Sequence, residues 1–270
     1  MNIFFARANI LHKKNKYKES SENLLKANNL KLSIYKSEAN ILIRKTNKLK
    51  ISSNKFQKNF QEFPNDPISI FIVGLPRCGS TLVESIISLN SQVIDLGEVN
   101  IFEESYREYK RSDKKVNLAE IYKQKTAIPN NKSKITTNKW LFNYQYAGII
   151  SNSIPNAKII HCYRNPLDNI LSIYRSHFTG GNEYSSSLVD SAKVYLDQEE
   201  LMTKYKNRFR SKIYDLNYDL LVSDPNQEIK SLISWLGWKW EDKYLSPHLN
   251  PRSVTTASNV QVRSPINTKS

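Results

Sequence analysis

The chain has 270 residues, 39% of them hydrophobic and 11% aromatic, which is typical of a globular protein with a packed core and excludes a disordered chain. No apolar run reaches the roughly 18 residues of a membrane span, and two cysteines are too few for a disulfide framework or a zinc site. We therefore predict no membrane span, no metal and a reduced, cytoplasmic setting.

The formal net charge is +15, and most of it lies near the amino terminus. Residues 1–60 hold 14 Lys and Arg against three acidic residues, a net +11, which leaves +4 for the rest. Such a segment could contact nucleic acid or anionic lipid. We favour a solvated helical surface and no nucleic-acid partner, because a nucleic-acid groove usually carries more Arg with interleaved aromatics.

Residues 1–50 are predicted to be helical, since apolar residues recur at spacings of three and four. Breaks near Asn15 and near Asn28 predict a helical hairpin and a third helix. Four residues in the hairpin resemble a tetratricopeptide repeat: Ala8, Tyr17, Leu24 and Ala27. Because such repeats bury their faces against neighbours, we expect this segment to pack on the following domain or on a protein partner. Residues 51–67 form a polar linker with two prolines.

The pattern changes to alternating strands and helices over residues 68–270. The runs "ISIFIVG" and "AKIIHCYR" are continuously apolar, as in buried parallel strands, and "KIYDLNYDLLV" is predicted as a third strand. Each run is followed by a helix, the last of them closed by Gly237, and residues 188–208 form a long amphipathic helix. The fold class is therefore α/β, with a mostly parallel sheet in a P-loop-like three-layer arrangement after a short helical segment.

The stretch "GLPRCGST", residues 74–81, joins the first strand to a helix and has the features of an anion-binding loop. Two glycines allow close backbone approach, and Ser80 and Thr81 open the helix, where N–H groups and the helix dipole face one point. A Walker A loop has Lys where this chain has Ser80, and Arg77 lies inside the loop. We therefore expect a phosphate-like group other than the ATP tail, although an ordinary strand–helix turn is the alternative.

A second phosphate clamp is predicted from "YRNPLDNILS", residues 163–172. Arg164 ends a strand and Ser172 lies two helical turns after Pro166, so both can face the helix start. Two clamps on one sheet indicate a nucleotide with phosphates at its 5′ and 3′ positions.

This arrangement resembles the sulfotransferases that use 3′-phosphoadenosine-5′-phosphosulfate (PAPS). The chain is most similar to bacterial sulfotransferases with tetratricopeptide repeats, which are relatives of protein-tyrosine sulfotransferases. Besides the two clamps, the resemblance rests on "NKYKESSENLLKANNLK", "LGEVN", "TTNKW", "IPNAKIIHCYRNPLDN", "LNYDLLVSDP" and "VTTASNVQVRSPI", in this order along the chain. It implies an enzyme that moves a sulfuryl group from PAPS to an acceptor hydroxyl by in-line displacement.

The resemblance also implies roles for single residues. Glu98 matches the general base, and Lys139 matches a residue that stabilises charge on the leaving oxygen, so that no metal is needed. A loop-capping Glu and a surface Lys are the alternatives; His161 and His177 are rival bases, the former more consistent with a core position. The implied catalytic residues are Glu98, Lys139 and Arg77; the implied cofactor-binding residues are Arg77, Cys78, Gly79, Ser80, Thr81, Leu82, Arg164, Ser172, Tyr218 and Ser258.

Two alternative functions and the identity of the acceptor substrate stay open. A P-loop kinase or nucleotide hydrolase would need the absent loop Lys, and a helical-repeat binding protein with an inactive nucleotide domain would not need Glu98 and Lys139. The acceptor is a protein tyrosine, a glycan hydroxyl or a small-molecule hydroxyl. The family's closing loop continues past the position of Ser270, and the chain begins inside a single repeat without its neighbours. We therefore expect a chain that is truncated at both ends and lacks one 3′-phosphate contact.

Overall fold

The computed structural model describes residues 1–56, 67–112, 116–127, 135–252 and 262–267. The chain divides into two compact units, residues 1–48 with 165–200 and residues 49–164 with 201–270. The helices are α1 (Asn2–Lys13), α2 (Tyr17–Ile34), α3 (Ala39–Asn54), α4 (Ser80–Ile87), α5 (Ile101–Arg111), α6 (Leu118–Thr126), α7 (Ala147–Ser153), α8 (Pro166–Arg175), α9 (Leu188–Arg208), α10 (Tyr218–Ser223) and α11 (Pro225–Leu236). The strands are β1 (Ile68–Gly74), β2 (Val93–Asp95), β3 (Ile135–Asn138), β4 (Ala157–Tyr163) and β5 (Ile213–Asn217).

The second unit contains a five-stranded sheet in the order β2-β3-β1-β4-β5, and every neighbouring pair is parallel. Gly74 at the end of β1 lies opposite Cys162 near the end of β4. Residues that follow these two strands therefore leave the sheet at the same edge, where open α/β sheets bind their ligands. The predicted α/β fold, with a parallel sheet and a preceding helical segment, is confirmed.

Strand β1 is buried on both faces of the sheet. Ile70 and Ile72 belong to a core formed with α4, β4, β5 and α11. On the opposite face, Phe71 packs against Phe102 and Tyr122, with ring centroids 5.8 Å and 5.5 Å away. This double burial explains why the sequence of β1 is continuously apolar instead of alternating.

In the first unit, α1 and α2 form the predicted helical hairpin around a small apolar core: Phe5, Ala8, Leu24 and Ala27. The predicted break at Asn28 is wrong, because α2 continues to Ile34. The buried amide of Asn28 donates at 3.1 Å both to the Leu24 carbonyl oxygen and to the Tyr174 carbonyl oxygen on α8. A poor helix former is tolerated there because its polar group is satisfied.

The third predicted strand is shorter than expected. It ends at Asn217, and Tyr218 begins α10 instead of ending the strand. The side chain of Asn217 accepts hydrogen bonds from the N–H groups of Asp219 at 2.8 Å and Leu220 at 3.2 Å. This is an N-cap, which converts the second half of "KIYDLNYDLLV" into a helix.

Candidate functional site

The loop between β1 and α4 has a backbone that few residues can adopt. Arg77 has a φ of +70° and Gly79 a φ of +91°, both in the left-handed region. A Cβ atom added to Gly79 would lie 2.1 Å from Cδ2 of Tyr218. A non-glycine residue with positive φ carries strain, which is common at functional sites. The Tyr218 ring therefore fixes the loop and excludes a side chain at Gly79.

Helix α4 begins directly after this loop. Ser80 and Thr81 are its first residues and are almost completely buried. Amides in the first turn of a helix have no intrahelical acceptor and carry the positive end of the dipole. The N–H of Leu82 already donates to the carbonyl oxygen of Gly79 at 3.0 Å. The arrangement is suited to an anion held by the loop amides and the two hydroxyl groups.

Cys78 contributes packing to the loop through its side chain. The thiol is buried against Cys162 of β4, and a Cβ added to Gly74 would lie 2.9 Å from Cys78 Sγ. The hydrogen bond with Cys162 lowers the pKa of Cys78, while burial raises the pKa of Cys162. The N–H of Cys78 donates to the carbonyl oxygen of Leu75 at 3.3 Å, and any contact of Cys78 with a ligand at the loop would involve its backbone and not the buried thiol.

The two predicted arginines lie in one electrostatic cluster at the edge of the sheet. Burial lowers the pKa of Arg77, and the positive charge of Arg164 lowers it further. Arg164 lies with its guanidinium carbon 5.0 Å from the centroid of the Tyr218 ring and its Nε 3.7 Å from Asp219 Oδ1. Two partly buried guanidinium groups that repel each other are stabilised when an anion binds between or beside them.

Glu98 and Lys139, which lie on separate loops in the sequence, meet in the structure. Lys139 Nζ is 2.5 Å from Glu98 Oε1. The backbone supports the pair, because the N–H of Lys139 donates to the carbonyl oxygen of Gly97 at 3.0 Å. The Lys139 side chain is fully buried, whereas 47% of the Glu98 side chain is exposed. A buried cation thus holds a carboxylate that solvent and an incoming hydroxyl group can reach.

A third charged residue at this pair, Glu84 of α4, was missed by the sequence analysis. Its Oε2 lies 3.5 Å from Lys139 Nζ. Burial raises the pKa of Glu84 to about 8, the neighbouring Asp95 adds to the increase, and Lys139 opposes it. The signal in the sequence was a single acidic residue within the otherwise uncharged helix "STLVESII". Glu84 follows Ser80 by one helical turn, so the Lys139 ammonium contacts α4 at a residue one turn from the anion loop.

The remaining predicted residues are Ser172, Ser258, His161 and His177. Ser172 is on α8 in the first unit, where its carbonyl oxygen accepts a 2.7 Å hydrogen bond from Ser176. Ser258 lies outside the described residues. His161 is fully buried in β4, and its Nδ1 is 2.7 Å from Asp215 Oδ1, so it is a core histidine. The ring of His177 packs against Phe5 at 5.0 Å in the first unit.

Within the five ranges given above, no group of three or more His, Cys, Asp and Glu side chains has the geometry to hold a metal ion. In that same part of the chain, none of the helices combines the length and the apolar character needed to cross a membrane.

The chain is similar in sequence to known proteins. A family model described as "Sulfotransferase family" matches residues 115–242. An uncharacterized protein of Aquifex aeolicus (strain VF5) is 27% identical over 285 residues, which cover 96% of this chain. The chain spans 37% of the length of this curated relative.

Solved sulfotransferase domains share the fold. The sulfotransferase domain of the Synechococcus PCC 7002 olefin synthase has a TM-score of 0.59 and 18% identity, over 78% of this chain and 88% of that one. The sulfotransferase domain from the curacin biosynthetic pathway has a TM-score of 0.53 and 16% identity, over 77% of this chain and 85% of that one. The chain thus has the fold of sulfotransferase domains, and its residues 115–242 match the sulfotransferase family model.

Proposed function

We propose that the protein is a sulfotransferase that uses PAPS and transfers its sulfuryl group to an acceptor hydroxyl. This proposal rests mainly on the cluster of Arg77 and Arg164 beside an anion-binding loop that has Ser80 in place of the lysine of a Walker A loop. An ATP site would place a lysine at that position to reach the terminal phosphates. The family match and the shared fold support the same activity.

The residues present fit a nucleotide with two phosphate-bearing positions. The buried, mutually repelling guanidinium groups and the start of α4 offer two sets of donors for anions. PAPS, when bound, supplies the sulfuryl group for transfer. In this proposal the 5′-phosphosulfate is held by Arg77, Cys78, Gly79, Ser80, Thr81 and Leu82, and the 3′-phosphate by Arg164 and Tyr218. Ser172 and Ser258 are assigned to the same nucleotide from the sequence resemblance alone.

The proposed catalytic roles follow from the exposure and charge of Glu98 and Lys139. Glu98 accepts the proton of the attacking hydroxyl, because its carboxylate is half exposed and within reach of an acceptor. Lys139 stabilises negative charge that develops near the start of α4, because its ammonium is fully buried and water screens it little. Arg77 adds positive charge at the loop. We propose that these residues suffice without a metal ion.

The finer assignment rests on the sequence resemblance. We propose a relation to bacterial sulfotransferases with tetratricopeptide repeats and to protein-tyrosine sulfotransferases, supported by the hairpin of α1 and α2. The hairpin is proposed to contact a protein partner, and the acceptor to be a tyrosine, glycan or small-molecule hydroxyl. A cytoplasmic location is supported by the free, buried thiols of Cys78 and Cys162.

Ligand-induced stabilisation against heat tests the donor assignment. At about 100 times its dissociation constant, 3′,5′-bisphosphoadenosine should stabilise the fold by about 2.7 kcal/mol, and ATP with Mg²⁺ at the same concentration much less. Arg77→Ala and Arg164→Ala should remove most of this effect. A matched control is Arg208→Ala, whose guanidinium donates to Asn54 at 3.0 Å. Equal stabilisation by ATP would favour a kinase or hydrolase, and binding without turnover would favour an inactive binding protein.

A further inference from the structure

Glu84 occupies a position where an ionised carboxylate is costly. It is 7% exposed and lies in the middle of α4, whose neighbouring residues Val83, Ile86 and Ile87 are fully buried in the core. Moving a charged carboxylate into such surroundings is strongly unfavourable unless partners compensate for lost water. The partners of Glu84 therefore decide its state.

Two carboxyl groups contact the Lys139 ammonium group, and a third lies next to one of them. Glu84 and Glu98 both contact Lys139, and Asp95 lies within hydrogen-bonding reach of Glu84. If all three were ionised, the cluster would carry a net charge of −2 in a largely buried place. A proton shared between two neighbouring carboxyl groups removes one of these charges.

The hydrogen bonds indicate which of the two carboxyl groups holds that proton. Asp95 Oδ1 accepts from the N–H of Gly97 at 2.7 Å and from the hydroxyl of Thr137 at 3.5 Å, contacts that suit a carboxylate. Oε1 of Glu84 is buried and has no hydrogen-bond donor among the described residues. A protonated Glu84 can donate a hydrogen bond to the Asp95 carboxylate, because a carboxylic acid can donate whereas a carboxylate can only accept.

We infer, on the premise of the function proposed above, that Glu84 is a positioning residue for Lys139. As a neutral carboxylic acid it donates to Asp95 and accepts a contact from Lys139, which holds the ammonium beside the anion loop without neutralising it. Glu98 is then the only carboxylate in direct contact with that ammonium among the described residues. The positive charge stays available to the reacting group.

Loss of the Glu84 proton changes this arrangement. Burial raises the pKa of Glu84 to about 8, so the carboxylate forms in the mildly alkaline range and competes for Lys139. Strand β1, which packs on α4, contributes no titratable side chain, and the 3-10 helices Asp242–Leu245 and Pro247–Leu249 carry Asp242, Lys243, Tyr244 and His248. No ion pair of the described residues joins these four to Glu84, so Lys139 and Asp95 are the charges that face it.

The pH dependence of turnover with PAPS and an identified acceptor tests the inference. The parent should lose activity by about tenfold per pH unit above the ionisation of Glu84. Glu84→Gln, which is uncharged at every pH and similar in shape, should keep turnover near the parental value at neutral pH and lack this decline. The control Glu103→Gln removes another buried Glu of the same unit, which pairs with Arg107, and should retain the decline. An unchanged alkaline decline in Glu84→Gln would overturn the inference.

A second measurement does not depend on turnover. Carboxyl carbon resonances of the free protein, with Glu84 identified by its loss in Glu84→Gln, should show Glu84 protonated at neutral pH. An ionised Glu84 would overturn the inference whatever the activity. If Glu84 is protonated at neutral pH but PAPS is not consumed, the proposed function fails, whereas an ionised Glu84 in a protein that consumes PAPS overturns this inference alone. The two failures are therefore distinguishable.

Discussion

Lys139 Nζ lies 2.5 Å from Glu98 Oε1, although the two residues are 41 positions apart in the chain. Lys139 follows β3, and Glu98 follows β2, its neighbour in the sheet. A buried cation and a half-exposed carboxylate thus share one ion pair at the edge of the sheet. In our account this contact joins the group that takes a proton to the group that stabilises developing charge.

Replacing Glu98 by Gln should remove the proton acceptor and preserve the fold, because the side chain keeps its shape. We expect turnover to fall by roughly 10²–10⁴-fold, the range typical of a general base. Binding of 3′,5′-bisphosphoadenosine, measured by calorimetry, should stay within about threefold of the parent. Parental turnover in Glu98→Gln would direct the search for the base to His177.

Replacing Lys139 by Met should remove the buried charge while preserving much of the side-chain volume. Turnover should fall by roughly 10²–10³-fold, since one preorganised electrostatic group is lost. Lys206→Met is the matched control, because Lys206 also pairs with a carboxylate of the same unit, Asp215, at 2.9 Å. Comparable losses in both variants would show that the effect is a general loss of stability.

Gly79→Ala should disturb the loop for two separate reasons. The left-handed backbone costs about 1–2 kcal/mol for a residue with a Cβ, and the contact with Tyr218 adds about 1–3 kcal/mol. Gly237→Ala has a similar φ of +78° but no atom within 4 Å of the added Cβ, so it reports the backbone cost alone. Urea unfolding of the two variants measures the difference, and equal losses would contradict the packing of Tyr218 on the loop.

The stability of the parent should depend on pH through Glu84. Its folded-state pKa of about 8 lies above the ordinary value of 4.5, so the native state binds the proton more tightly than the unfolded chain does. Stability contributed by this group is therefore complete below pH 4.5, declines as the pH rises towards 8, and is lost above it. The free energy of unfolding of Glu84→Gln relative to the parent should accordingly increase across this range, as urea titrations can measure. A difference independent of pH would contradict a protonated Glu84.

Chelation provides a further prediction, because Lys139 and Arg77 are proposed to supply the positive charge of the reaction. EDTA should leave transfer from PAPS unchanged. Complete loss of activity that Mg²⁺ restores would favour a nucleotide kinase or hydrolase instead.

The sequence predicted the long buried elements well. The apolar run of β1 matches the strand from Ile68 to Gly74, and Gly237 closes α11 with a φ of +78°, as expected of a helix end. It failed where one polar residue decides the local structure. Asn28 continues a helix through hydrogen bonds with Leu24 and Tyr174, and Asn217 ends a strand by capping α10.

The contacts of the site were less predictable than its residues. The sequence motifs included Arg77, Arg164, Glu98 and Lys139, but their proximity depends on the order of the strands in the sheet, which periodicity does not specify. Strands β2 and β3 are only three and four residues long and carry no clear strand pattern. Glu84 was missed because a single Glu in a short helix is usually exposed, and the sequence alone does not show that this side of α4 is buried.

The most direct test of the central claim follows a labelled sulfuryl group. The protein is incubated with PAPS labelled at sulfur and with cell extract as the source of acceptors, and labelled products and released 3′,5′-bisphosphoadenosine are measured together. The account predicts label in a product and an equal amount of released bisphosphate, both reduced by roughly 10²-fold or more in Glu98→Gln. PAPS that is neither bound nor consumed, while ATP labelled at its terminal phosphate is turned over, would contradict it.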